Sequence, residues 1–249
     1  MRYRYFDLLV ALFVTVLLVS NIASSAKIID WGVALFGTPL IFDGGTLLFP
    51  LSYLFGDLLT EVYGYRKSRR VIWLGFLAAA LMSGLLWLIG WLPGEASWRT
   101  AIGDERYRAI LGGVSSGAIV LASLVAYFAG EFANSFVLAK LKIATRGRWL
   151  WTRTIGSTLV GEGLDTVLFV TIATWLKVPG FLPALWMPLV VTNYLFKCGV
   201  EVALTPVTYW VVGVLKRREG VDVYDRGTNF NPFRWDIEEG SVNTADSLD

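Results

Sequence analysis

The feature that most constrains this chain is a series of long apolar stretches, each close to the length that crosses a bilayer, separated by short polar breaks. Wound as a helix, about 20 such residues span a hydrocarbon core of roughly 30 Å. The bilayer offers no water to the backbone, so a helix that satisfies its own N–H and C=O groups is the natural solution. Six stretches fall at roughly 5–26, 44–64, 71–92, 115–140, 154–176 and 184–215. Of 249 residues, 55% are hydrophobic and 17% charged, against about 25% charged in a soluble domain. The pattern predicts an all-α, polytopic membrane protein with six transmembrane helices.

Between the first two stretches, residues 28–45 are too broken to span. Gly37, Thr38 and Pro39 interrupt them and Asp43, Gly44 and Gly45 close them, which predicts a short hairpin or re-entrant element at the outer surface. Orientation follows from Lys and Arg. Sixteen of the 22 fall on one side, among them Arg66, Arg69, Arg148 and Arg217; five fall on the other, and Lys197 lies within a span. That split predicts cytoplasmic N- and C-termini, as an even number of spans requires. Arg2 and Arg4, the run Phe6–Val19 and small residues Ser24 and Ala26 imitate a secretory signal; the spans that follow favour a retained first helix. Pro206 predicts a kink or interruption in the last span. The chain divides into a transmembrane domain (1–220), a short cytoplasmic cap (221–235) and an acidic tail (236–249) of disordered composition.

Polar side chains at bilayer depth are costly and mark function by default. In the second stretch Tyr53, Asp57 and Glu61 share a face at four-residue intervals; Glu61 is near enough to the basic end to meet Arg66 or Arg69. In the fourth, Tyr127, Glu131, Asn134 and Ser135 form a stripe. In the fifth, Thr158, Glu162, Asp165 and Phe169 form another, flanked by Gly156, Ser157, Gly161 and Gly163, which permit close helix approach. In the sixth, Asn193, Lys197 and Glu201 stack, and Lys197 with Glu201 could be a private ion pair. Asn21 and Ser24 lie towards the outer end of the first, where Lys27 would snorkel. Stripes that must all avoid lipid imply one interior site. Its candidate ligand groups are Glu131, Asn134, Glu162 and Asp165, with Asp57, Lys197, Asn21 and Tyr127 as further candidates.

The chain contains no histidine and one cysteine, Cys198. The first fact removes the commonest metal ligand and any Ser-His machinery; the second excludes an intrachain disulfide. Gly113-Val114-Ser115-Ser116-Gly117 matches a nucleophile-elbow pattern but has no base to activate it. The paired-aspartate pattern of intramembrane proteases is incomplete, and no phosphate-binding G-x-x-x-x-G-K-[ST] loop occurs. No enzyme activity, cofactor, metal or nucleic-acid partner is expected.

The run Phe49–Tyr65, the basic segment Ser68–Trp73, Gly130–Ser135, Arg153–Thr158, the pair Asp165-Thr166 and Asn229–Phe233 together resemble the signature of the vitamin uptake transporter family, which includes queuosine precursor transporters. The matches are spread over most of residues 5–235. At position 162 this chain carries Glu where the family pattern often has Gln. The resemblance implies a carrier in the bacterial inner membrane that imports 7-deazaguanines, 7-cyano-7-deazaguanine and its 7-aminomethyl analogue, for tRNA queuosine synthesis. The site residues are compatible with that: a guanine edge offers adjacent N–H donors that one carboxylate can accept together. Two further readings stay open, a binding subunit of an ATP-driven complex and an intramembrane enzyme. Proton coupling and a homodimer also stay open.

Overall fold

The computed structural model describes residues 3–35, 38–115, 117–178 and 181–234; the acidic tail lies outside them. It is built of helices α1 (Phe6–Ala26), α2 (Phe49–Tyr63), α3 (Tyr65–Trp91), α4 (Ala96–Ala101), α5 (Gly103–Ser115), α6 (Gly117–Ala144), α7 (Leu150–Trp175) and α8 (Trp186–Glu219). Between α1 and α2 the strands β1 (Ile28–Leu35) and β2 (Thr38–Asp43) pair antiparallel, from Ile28 opposite Asp43 to Leu35 opposite Thr38. The register slips between Asp30 and Ala34, next to Gly32.

Five helical segments are long and apolar enough to cross a membrane: Phe6–Ala26, Tyr65–Trp91, Gly103–Ala144, Leu150–Trp175 and Pro183–Glu219. The third helix shows how such a segment divides its faces. On α3 the residues Leu74, Leu77, Leu81, Leu85 and Leu88 are exposed in one stripe, while Ser68, Val71, Ile72, Gly75, Ala79 and Ser83 are buried on the other. An apolar outer face suits lipid, so the inner face is free to be small and polar.

The second stretch differs from the others. Its helix, α2, has 15 residues, of which 12 are buried, and at about 1.5 Å per residue it falls short of the hydrocarbon thickness. A short 3-10 turn, Gly44–Leu47, fills the start of the segment read from sequence as span two. Surrounded on nearly every face, α2 is a central strut. It passes to α3 through Gly64 alone, at φ +83°, a conformation that side chains with a Cβ rarely adopt. α8 runs through Pro206 without the interruption expected there; the proline removes a single donor, and such losses are tolerated in membrane helices.

The closest packing is between α6 and α7. A Cβ on Gly161 would lie 2.7 Å from Asn134 Cβ and 2.9 Å from the Gly130 carbonyl oxygen. One added carbon at either glycine would push the two backbones apart. At one end of the bundle the start of α1, the α2–α3 turn, the α6–α7 turn and the end of α8 meet under a strap, residues 220–234. Val223 N–H donates to the Val62 carbonyl at 3.3 Å, Arg69 to the Asn229 and Asn231 carbonyls, and Trp73 Nε1 to Pro232 at 2.8 Å. Asp225 accepts from Tyr65 N–H at 2.9 Å and from the Thr228 hydroxyl at 3.1 Å. Burial raises its carboxyl above the ordinary value, against the lowering pull of those two donors.

Candidate functional site

Away from the strap, the other end of the bundle encloses a cavity of about 410 Å³, within the range of roughly 300–1,000 Å³ common to small-molecule sites. It lies among α1, α3, α6, α7 and α8, with the hairpin and the start of α2 as a further wall. Its walls are chiefly apolar, including Phe42, Phe49, Phe169 and Phe181. Phe42 stacks on Phe196 at 4.9 Å, and the Thr46 hydroxyl meets Asn193 Oδ1 at 3.3 Å, tying the hairpin end to α8.

The cavity ends on charge. Lys197 Nζ lies 2.7 Å from Asp165 Oδ2 and 2.9 Å from Glu162 Oε2, and 4.9 Å from the centre of the Phe49 ring. All three ionic groups are buried. Spacing explains the trio: Glu162 and Asp165 sit three residues apart on α7, so both face the one turn of α8 that carries Lys197. The private ion pair with Glu201 that the stacking along α8 left open is not formed; Lys197 reaches across to α7, and neither Glu201 oxygen has a hydrogen-bond partner among the described residues.

Asp165, Lys197 and Asn21 thus line the cavity, with Glu162 attached through Lys197. Asn21 Nδ2 also donates to the Leu17 carbonyl at 2.8 Å. Asp57, Glu131 and Asn134 lie outside its lining, buried between the cavity floor and the strap. Asn134 Nδ2 donates to Asp57 Oδ1 at 2.7 Å. Asp57 Oδ2, both Glu131 oxygens, Asn134 Oδ1 and the Tyr53 hydroxyl have no hydrogen-bond partner among the described residues. Buried polar groups normally find one, so this is a concentration of unused acceptors. Gly56 makes room for it: a Cβ there would stand 2.9 Å from Glu131 Oε2. Tyr127 has a defined partner, its hydroxyl donating to the Ile72 carbonyl at 3.0 Å.

Residues 43–211 match the family described as "Putative vitamin uptake transporter". The chain belongs to the vitamin uptake transporter family. Relatives include "Probable queuosine precursor transporter" of Bacillus subtilis, 30% identical over 71% of this chain and 73% of the relative. "Queuosine precursor transporter" of Escherichia coli is 27% identical over 77% and 80%, and a "Probable queuosine precursor transporter" of Haemophilus influenzae 26% over 68% and 67%. No solved structure gives a significant match. Five apolar helices and this membership make the chain a multi-pass protein of the bacterial inner membrane.

The family segment contains the floor trio and the unpartnered acids, whereas α1 and the strap lie outside it. Sequence reasoning about this vitamin uptake transporter missed five residues, three of them around Glu61. Arg153 clamps Glu61 with two hydrogen bonds of 2.8 Å, and Lys216 reaches the same carboxylate at 2.6 Å and Lys142 at 3.5 Å. These partners come from α6, α7 and α8, beyond the Arg66 and Arg69 that proximity in sequence had offered. The available signal was the requirement for a cation at the depth of Glu61, which several basic residues could meet equally. Phe49 and Thr46 were missed because nothing local separates them from core residues.

Proposed function

We propose that this chain is a carrier that imports 7-deazaguanine precursors of queuosine through the cavity, with Asp165 and Lys197 contacting the ligand. The observation that carries the reading is the floor trio: one lysine between two carboxylates, at the end of an aromatic-walled cavity. A guanine-type edge would give its N–H donors to Asp165, and Lys197 could turn to the ring carbonyl. Phe49 or Phe169 would stack on its flat face, worth about 1–3 kcal/mol per base. The 7-cyano and 7-aminomethyl compounds are the substrates we favour, since the relatives' names point to queuosine precursors. Asn21 and Glu162 are read as supporting groups, and Asn134 as holding Asp57.

Six crossings are proposed, with α2 and its hairpin counted as one. Both termini and the strap are placed in the cytoplasm, because the basic segments 66–70, 140–153 and 216–226 gather at that end. Coupling to protons is the finer part of the reading. Glu131 is the candidate carrier, since its two oxygens have no hydrogen-bond partner among the described residues and the chain has no histidine.

The test is uptake of labelled 7-deazaguanines by cells unable to make them, with and without this gene. Uptake that does not depend on the gene refutes the reading. Purified protein in liposomes then separates a carrier from a binding subunit, which would hold ligand without moving it. An uncoupler that leaves accumulation unchanged removes the proton step, as does full accumulation by Glu131→Gln.

A further inference from the structure

The end of the bundle opposite the cavity is closed by an ionic cluster in which one member does not belong to a helix. Glu61 of α2 accepts from Arg153 of α7 and Lys216 of α8, and Lys142 of α6 stands 3.5 Å from it. Asp222, on the strap, joins the same two lysines, at 2.5 Å from Lys142 Nζ and 2.8 Å from Lys216 Nζ. Lys142 also donates to the Val223 carbonyl at 2.8 Å. Four helices and the strap therefore meet in one network.

Exposure within it is graded. Glu61 is fully buried and Lys142 and Arg153 nearly so, while the Lys216 side chain is 22% and the Asp222 side chain 31% exposed. Water can replace the contacts at the rim at little cost, whereas those on Glu61 have no substitute. Asp222 is the member that can leave.

What lies beneath is a continuous buried line on α7. Arg153, Ser157, Gly161 and Asp165 recur every four residues, so they share a face running from the cluster to the cavity floor. A carrier must open its two ends in turn, and this line runs from the floor trio to the strap side. We propose that Asp222 is the latch of the inner gate: while it holds Lys142 and Lys216 the strap side is sealed, and its release exposes the Arg153–Asp165 face. The proposal rests on the carrier reading above.

The test uses two single-cysteine reporters in a Cys198→Ser background, as purified full-length protein in detergent. Ser157→Cys lies on the buried line; Ser83→Cys lines the cavity on the other side of the floor. With a small water-soluble maleimide, Asp222→Asn should raise the labelling rate at Ser157→Cys by about fivefold or more. The rate at Ser83→Cys should stay within about twofold. Asp222→Glu, which keeps the charge, should return Ser157→Cys to the parent rate. Should Ser157→Cys not fold, Ser135→Cys, buried on α6 beside Thr60, takes its place. Unchanged labelling in Asp222→Asn overturns the latch, and so does an equal rise at both reporters, which would mean general loosening. The readout needs no substrate. If the purified protein binds no deazaguanine, the carrier reading falls on that result alone.

Discussion

Two buried ion clusters in this protein have similar contact distances and opposite charge balance. Around Glu61 one carboxylate meets three cations, Arg153, Lys216 and Lys142, and the strap's Asp222 completes the set. At the cavity floor one cation, Lys197, serves two carboxylates, and just beyond it Glu131, Asp57 and Glu201 carry oxygens with no hydrogen-bond partner among the described residues. In a low-dielectric interior a charge must be answered close by. The first cluster answers its acid several times over and leaves nothing for a guest to do. The second holds acceptors in excess beside open volume. Basic surplus at a packed end is a closure; acidic surplus at a cavity is a capacity.

Mutations should separate the two. Arg153→Met removes two charge-assisted hydrogen bonds from Glu61 and leaves it to Lys216 and Lys142; we expect the largest effect there, a loss of about 3–5 kcal/mol of stability, read as a lower unfolding temperature and reduced membrane content. Asp165→Asn should leave the protein level near normal, because Glu162 still neutralises Lys197, and cut uptake by about 100-fold, roughly 2.7 kcal/mol of ligand interaction. If it destabilised the fold as Arg153→Met does, the distinction between closure and capacity would vanish. Gly161→Ala tests the crossing that holds the two clusters in line; overpacking against Asn134 and Gly130 should cost about 1–3 kcal/mol in thermal unfolding. The smallest effect is expected at the cavity wall. Asn193→Ala breaks the tie to Thr46 and should raise the uptake KM by about fivefold, near 1 kcal/mol, with stability little altered.

The polar stripes were legible because a bilayer makes every intramembrane acid conspicuous. Glu131, Glu162, Asp165 and Lys197 stand out in sequence, and all four are buried in the fold. Their pairing was not legible. Lys197 is four residues from Glu201 on its own helix yet pairs with Glu162 and Asp165, because helix spacing gives neighbours along a helix and says nothing of the helix packed opposite. Glu61 was near Arg66 and Arg69 in sequence and met Arg153, some ninety residues away. The second span showed the same limit from another side. Its apolar run, 44–64, was read as one crossing, but it opens on a 3-10 turn, Gly44–Leu47, and the helix proper begins at Phe49.

By itself the sequence determined the solvent this chain folds in, the number and length of its apolar stretches, the end where basic residues collect and the identity of its costly polar groups. Those are local properties, since hydropathy and charge belong to a residue wherever it lies. Only the tertiary structure decided which acid each cation neutralises, which oxygens stay unused and where the helices part to leave a cavity. These depend on the rotation and depth of whole helices, set by contacts such as Gly161 against Asn134 that join distant parts of the chain.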